Sequence, residues 1–161
     1  MSPAVHITLV LFLALTFYQD WKYRAVHWFI FPILAVDALL IFFLREWDLQ
    51  ILGLNLTFVI TVVTLLFIYI SVRERKWTNI FERHLGIGDV LFFLAVTPLF
   101  SSQNYILFFI TGMMVSGLAH GILSLLKKRE SIPLAGYLSV YVIALEAVRV
   151  IFDKDLFHYA F

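Results

Sequence analysis

The fold class is decided by the stretch "LQILGLNLTFVITVVTLLFIYISV", which runs from Leu49 to Val72 without one charged side chain. A helix needs about 20 mostly apolar residues to cross the roughly 30 Å hydrocarbon core of a bilayer. The stretch is long enough for that. It therefore predicts a helix that spans a membrane.

The composition of the whole chain agrees with this prediction. Of its 161 residues, 62% are hydrophobic and 14% are charged, and the mean hydropathy is +0.93. A water-soluble domain would lack the polar surface to cover its core. The formal net charge of +1 argues against nucleic acid as a partner, and the absence of cysteine excludes disulfides and thiolate zinc sites. We expect one all-α domain over residues 1–161, with the lipid bilayer around it.

Six apolar runs, separated by charged residues or by Gly and Pro, predict a polytopic bundle of six transmembrane helices. The fourth run is only about 21 Å long at 1.5 Å per residue, which is less than the bilayer core. Pro98 lies near its far end. The runs extend from Ala4 to Gln19, Trp28 to Leu44, Leu49 to Val72, Ile87 to Phe100, Tyr105 to Leu126 and Leu134 to Phe152.

The basic residues predict how this bundle is oriented. Nine Lys and Arg residues follow the first, third and fifth runs, whereas only Arg45, Arg149 and Lys154 lie on the opposite side. Loops rich in Lys and Arg stay in the cytoplasm. We therefore expect these three loops to be cytoplasmic, both termini to be outside, and the protein to lie in the cell membrane. We also expect residues 73–85 and 127–131 to be mobile, because few apolar side chains anchor them.

This orientation brings two aspartates to the same membrane face. Asp20 stands at the cytoplasmic end of the first run, and Asp89 opens the fourth run in "RHLGIGDVLF", Arg83 to Phe92. If the two helices pack together, the carboxylates share one site and one keeps a proton, because like charges that close cannot both ionise. Such a pair can activate water. A simpler interpretation stays open, in which Asp89 is an N-cap and Asp20 is only solvated.

The two glycines before Asp89 fit a reaction site. Gly86 and Gly88 lack side chains, so they allow unusual backbone dihedrals and let the backbone of a substrate come close. The amide groups and dipole at the start of a helix would face Asp89. We expect both glycines to shape the approach of the substrate.

These residues resemble the type 4 prepilin peptidase family of GxGD membrane aspartyl proteases. The resemblance rests on "GIGD", Gly86 to Asp89, in the second half of a small six-helix chain, and on Asp20 in "FYQDWKYRAVHW" after the first run. It implies that Asp20 and Asp89 are the catalytic pair. His84 is similar to a basic residue often found before the first Gly, and "IPLAGYL" is similar to the Pro-containing start of the last helix in these enzymes.

The chain departs from the family pattern in two respects. An Ile-Pro-Asn-like stretch is replaced by Val26-His27-Trp28, without the Pro and Asn, and no extension carries the two cysteine pairs that are associated with methylation. The resemblance therefore implies a peptidase-only member, similar to stand-alone prepilin and preflagellin peptidases. Such enzymes remove a short basic leader from pilin-like precursors at the cytoplasmic face, and we expect no metal or cofactor.

Two other functions remain open at this point. Asp20, His27, His84 and Asp89 all lie on the predicted cytoplasmic side, where two carboxylates and two imidazoles could bind a metal. Buried acids and short helices broken by Gly are also typical of small transporters and ion-coupled permeases.

The remaining polar residues of the apolar runs are interpreted structurally. We expect Asp37 to form hydrogen bonds within the bundle, and Glu146 and Arg149 to form an ion pair on one helix face. For His120 we expect a hydrogen bond across a close helix contact at Gly117 and Gly121.

Overall fold

The computed structural model of the chain describes residues 3–74, 86–126, 133–152 and 157. Over these ranges the chain is all-α, as predicted, and contains no β-strand. His84 and most of the two loops expected to be mobile lie outside the described residues. The elements in chain order are α1 (Pro3–Tyr23), α2 (Ile30–Leu44), α3 (Leu49–Glu74), α4 (Ile87–Val96), a 3-10 turn (Thr97–Leu99), α5 (Ser102–Leu126) and α6 (Leu134–Phe152).

Four of these helices, α1, α3, α5 and α6, are long and apolar enough to cross a membrane. Helices α2 and α4 are apolar but shorter. Large apolar side chains on the long helices are exposed, among them Leu65 and Leu118 at 60% and 65%. Exposed apolar surface of this kind is expected where lipid covers the protein. The predicted membrane class is supported, and length and composition identify four helices that could span.

Helix α1 extends past its predicted end at Gln19, so Asp20 lies inside the last turn. The helix ends at Arg24, which has a φ of 56° and donates its N–H to the carbonyl of Asp20 at 3.1 Å. The buried face of α1 follows helical spacing through Leu9, Leu13, Thr16 and Asp20. This spacing points the carboxylate of Asp20 into the bundle.

Helix α1 packs most extensively against α6, and the two run antiparallel. The end of α1 meets the start of α6, while His6 near the start of α1 lies 3.4 Å from Glu146 in the second half of α6. Glu146 also accepts hydrogen bonds from Nε and Nη2 of Arg149, both at 2.9 Å. The predicted Glu146–Arg149 ion pair is confirmed, and its contact with His6 is an addition that the sequence analysis missed.

The far end of α4 stops inside the bundle. Together, α4 and the 3-10 turn are about 20 Å long. Pro98 lacks an N–H and the chain leaves helical geometry there, so carbonyl groups lose their helical donors. Asn55 in α3 donates to the carbonyls of Thr97 and Phe100 at 3.0 and 2.9 Å, and Arg45 donates to that of Leu99 at 3.1 Å. Helices α2 and α3 therefore satisfy the backbone that α4 leaves open.

Aromatic side chains fill the space between α4, α5 and the turn that joins them. Tyr105 is fully buried and donates its hydroxyl to the carbonyl of Phe93 at 3.0 Å, as buried tyrosines require. The rings around it make close stacked, tilted or edge contacts, and they belong to Phe58, Phe93, Phe100, Phe108, Phe109, Tyr141 and Phe157.

Helix α5 approaches α6 through Gly112. A Cβ atom at Gly112 would lie 2.6 Å from Cδ2 of Leu138, so a larger residue would have to displace the end of that side chain. At Gly117 and Gly121 a Cβ would meet no described atom within 4 Å. The described residues therefore show no close helix contact at Gly117, and Nδ1 of His120 has no hydrogen-bond partner among them.

Candidate active site

Asp20 is delivered to the site by the buried face of α1 and is only 8% exposed. Its Oδ2 atom accepts a hydrogen bond from the backbone N–H of Gly136 at 2.6 Å. Beside this bond the rings of Trp21 and Tyr137 meet edge to face, with centroids 6.2 Å apart. The predicted alternative, a solvated interfacial Asp20, is therefore wrong, because the carboxylate is buried and bonded to another helix.

Asp89 is delivered by the first turn of α4 and is half-buried. The N-cap of α4 is Gly86, and Asp89 stands three residues later with its N–H donating to the Gly86 carbonyl at 3.0 Å. Its Oδ1 atom accepts a hydrogen bond from the N–H of Ala135 at 2.9 Å. The alternative that Asp89 is merely the N-cap of α4 is therefore wrong.

The two carboxylates meet at the start of α6. Ala135 and Gly136 are consecutive residues, and the bonds between consecutive backbone nitrogens limit their separation to about 4 Å. With hydrogen bonds of 2.9 and 2.6 Å, the two accepting oxygens lie within about 10 Å of each other. The structure thus brings together the two aspartates that the sequence analysis selected from positions 69 residues apart.

The electrostatics of the site combine repulsion with two sources of positive potential. Asp20 and Asp89 repel each other when both are ionised, and each is close enough for this to be felt. The N–H groups and dipole at the start of α6 favour negative charge there. The Arg24 guanidinium also interacts with the carboxylate of Asp20. A site of this kind can hold one negative charge more easily than two.

The glycines near the aspartates differ in what they contact. A Cβ at Gly86 would lie 2.9 Å from Oδ2 of Asp89, so the carboxylate lies directly against this residue. A Cβ at Gly88 would meet the ring of Phe31 at an ordinary 3.5 Å, on the side of α2. No described glycine has a positive φ, and the expected unusual dihedrals are not found. Gly86 is thus the glycine of the motif that touches the acid.

Gly136 was missed as a site residue. A Cβ at this position would lie 3.1 Å from Oδ2 and 3.3 Å from Cβ of Asp20, closer than nearly all real Cβ contacts. The "IPLAGYL" stretch was noted for its proline, and nothing in its spacing relates Gly136 to a residue 116 positions away. Only the pairing of α1 with α6 reveals this contact.

His27 does not join the carboxylates. Both its backbone N–H and its ring Nδ1 lie 3.0 Å from Oε1 of Gln19, and its ring packs on Phe29 with centroids 5.5 Å apart. Among the described residues, no three His, Asp or Glu side chains are grouped as a metal site. The metal hypothesis therefore gains no support from His27, and His84 lies outside the described residues.

Asp37 is a further buried acid, in the apolar helix α2. It is 9% exposed on α2, beside Thr8 of α1, and its Oδ2 atom has no hydrogen-bond partner among the described residues. The expected hydrogen bonding of Asp37 within the bundle is thus incomplete. It does not belong to the pair of carboxylates that bond the amides of α6.

Comparison of the chain with protein families, with curated proteins and with solved structures gave no match. The interpretation of the site rests on the residues themselves. These are two carboxylates from α1 and α4, bonded to neighbouring amides of α6.

Proposed function

We propose that the chain is a membrane-embedded aspartyl endopeptidase of the prepilin peptidase type, with Asp20 and Asp89 as its catalytic pair. The observation that supports this most directly is the hydrogen bonding of both carboxylates to consecutive amides of α6. Two acids near one another repel when both are ionised, so one can hold a proton while the other is anionic, which is the requirement for general acid and general base catalysis by an aspartate pair.

The reaction is a peptide hydrolysis. The anionic aspartate takes a proton from water as the water oxygen bonds to the scissile carbonyl carbon, and the protonated aspartate gives its proton to the carbonyl oxygen. As the C–N bond breaks, the aspartate that took the proton from water gives it to the leaving nitrogen, and the other aspartate takes a proton from one hydroxyl of the tetrahedral gem-diol, so the products are a carboxylic acid and an amine. The pair ends with the single proton it had at the start.

In the proposed orientation, a substrate would reach the aspartate pair from the cytoplasmic side. Gly86 is exposed, has extended backbone with a ψ of 132°, and precedes an Ile87 side chain that is 58% exposed. A substrate strand could approach Asp89 along this open edge, because no side chain at Gly86 blocks it. In this proposal α2 and α4 complete a six-helix bundle in the cell membrane, with both termini outside.

The substrate class follows from the proposed family. It is a pilin-like or preflagellin-like membrane precursor, cut between a short basic leader and the apolar helix that follows. The reaction needs no metal and no cofactor in this proposal, since the two carboxylates supply the acid and the base.

Cleavage of a tagged precursor tests the proposed function. We expect co-expressed wild-type protein to shorten a precursor that has a basic leader and a Gly before its apolar helix. Asp20→Asn and Asp89→Asn should each lower the rate by more than about 10³-fold, because each removes one proton carrier. Asp37→Asn is the matched control, since it makes the same change at a buried acid outside the pair. It should cleave at nearly the wild-type rate.

Two results would contradict the proposal. One is cleavage at the wild-type rate by either the Asp20→Asn or the Asp89→Asn variant. The other is the absence of cleavage for every precursor tested with wild-type protein. In that case the buried Asp37, with its unpartnered Oδ2, favours the transporter alternative, in which ion flux into proteoliposomes would be lost in Asp37→Asn.

A further inference from the structure

We propose that Gly136 is a positioning residue, and that the start of α6 is a template that sets the spacing of the two carboxylates. This inference rests on the proposed function, because it assigns a catalytic consequence to the spacing. It concerns a residue outside the GxGD motif and outside the segment around Asp20.

Among the described residues, the N-cap position of α6 is held by a residue whose side chain has no hydrogen-bond acceptor. The carbonyl of Pro133 accepts the first helical hydrogen bond, from the N–H of Tyr137 at 3.1 Å, so Pro133 occupies the N-cap position. An N-cap side chain normally accepts from the amides two or three residues later. Proline carries no acceptor there. The amides at those positions belong to Ala135 and Gly136.

The two aspartates, which belong to other helices, supply the acceptors that the proline side chain cannot provide. Asp89 accepts from Ala135 and Asp20 accepts from Gly136, so each uses one oxygen on α6. The other oxygen of Asp89, Oδ2, lies against Gly86, whose backbone N–H also interacts with this carboxylate. Since both donors belong to one rigid helical turn, the spacing of the carboxylates is fixed by α6 and does not depend on α1 and α4 alone.

The close contact between position 136 and Asp20 requires glycine. A Cβ at Gly136 would lie 3.1 Å from Oδ2 and 3.3 Å from Cβ of Asp20. The Cβ of Asp20 belongs to a packed helix and cannot move aside as a flexible side-chain end can. Any side chain at position 136 would therefore push α1 and α6 apart and lengthen the hydrogen bond.

Kinetics with a purified precursor test the positioning role. Gly136→Ala should lower kcat by about 10-fold, because the carboxylate must move by a fraction of the 1 Å that costs about 10²-fold, with KM changed less than about twofold. Gly117→Ala is the matched control, because a Cβ there meets no described atom within 4 Å on α5. Wild-type kcat in Gly136→Ala, with Asp20→Asn inactive, overturns the positioning role and leaves the peptidase intact.

A second variant separates position from stability. Pro133→Ser provides a local acceptor that competes with the aspartates for the two amides, so we expect kcat to fall while the melting temperature stays the same or rises. A purely structural role of the α6 start predicts the opposite, with activity following stability. A Pro133→Ser protein with wild-type kcat and raised stability would overturn the template.

A cross-linking experiment tests the geometry without any activity. The chain contains no cysteine, so paired substitutions report on one contact only. Asp20→Cys combined with Gly136→Cys should form a disulfide under mild oxidation, since the Cβ separation of 3.3 Å is close to the 3.5–4.5 Å that disulfides require. Asp20→Cys with Gly117→Cys should not. If the cross-link forms but the wild-type protein cleaves no precursor, the proposed function is refuted and the α1–α6 contact is retained. If the cross-link does not form, the template itself is overturned.

Discussion

At the scale of single residues, the candidate site depends on the absence of side chains at two glycines. Gly86 lies against the carboxylate of Asp89, and Gly136 lies against that of Asp20. Neither has a positive φ, so the reason for glycine is close approach and not backbone conformation. The two acids are thus held by the absence of side chains as much as by hydrogen bonds.

Substitution of Gly86 follows from this geometry. Gly86→Ala should lower cleavage by about 10- to 100-fold, because the new methyl group displaces the end of the Asp89 side chain by a fraction of an ångström to about 1 Å. Folding should be little affected, since that side-chain end can move. Gly88→Ala, which adds an ordinary contact with Phe31, should cause a smaller loss. Equal losses in the two variants, measured with one precursor, would show that close approach to Asp89 is not what matters.

At the scale of helices, the bundle is stabilised at the far end of α4 by side chains that donate hydrogen bonds to backbone carbonyls. Asn55 is 1% exposed and bonds two of these carbonyls, and Arg45 bonds a third. Buried carbonyls in an apolar surrounding are costly when unpaired. The short length of α4 is therefore tolerated because α2 and α3 supply donors.

Removal of the Asn55 amide should destabilise the protein. Asn55→Leu keeps the volume but leaves the carbonyls of Thr97 and Phe100 without this donor, and we expect the free energy of unfolding to fall by about 1–3 kcal/mol. Thr57→Val is the control, since the Thr57 hydroxyl is exposed and bonds only the nearby Gly53 carbonyl. Unfolding in mixed detergent would measure both. Equal stability of the two variants would contradict this role of Asn55.

The helices themselves were largely predictable from the sequence, because apolar runs and their charged boundaries are local signals. The predicted ends of α2, α3 and α6 agree with the structure within about two residues, while Asp20 was expected after α1 and lies inside it. The side chain of Asn55 gives no local sign of the carbonyls of residues 97 and 100, which depend on packing. The same reason explains why His6 was not related to Glu146.

The candidate site was predictable only in part. Asp20 and Asp89 were selected because alternating spans bring them to one face, and in the structure both carboxylates accept hydrogen bonds from amides of α6. Their shared donors could not be predicted, since backbone amides are the same in every residue and carry no sequence signal. Gly117 illustrates a related limit of the sequence, because a small residue fits a close helix contact and also fits an exposed surface, and a Cβ there would meet no described atom within 4 Å.

At the scale of the whole molecule, the proposed orientation makes a prediction of its own. The nine-to-three distribution of basic residues places residues 75–85 inside the cell and the start of α3 outside. In this cysteine-free chain, a membrane-impermeant maleimide applied to intact cells should label Gln50→Cys and not Thr78→Cys. Labelling of both sites in lysed cells is the control. The reverse pattern would invert the bundle and put the aspartates on the outer face.

The hydrogen bonds of Asn55 also have a consequence for biosynthesis. Asn55 leaves the ribosome more than 40 residues before the carbonyls of Thr97 and Phe100 that it serves. During that interval its amide has no partner from this turn, and a polar side chain in lipid is costly. A nascent chain released before residue 97 would therefore carry a third helix whose Asn55 amide lacks the two carbonyls that it bonds in the folded protein.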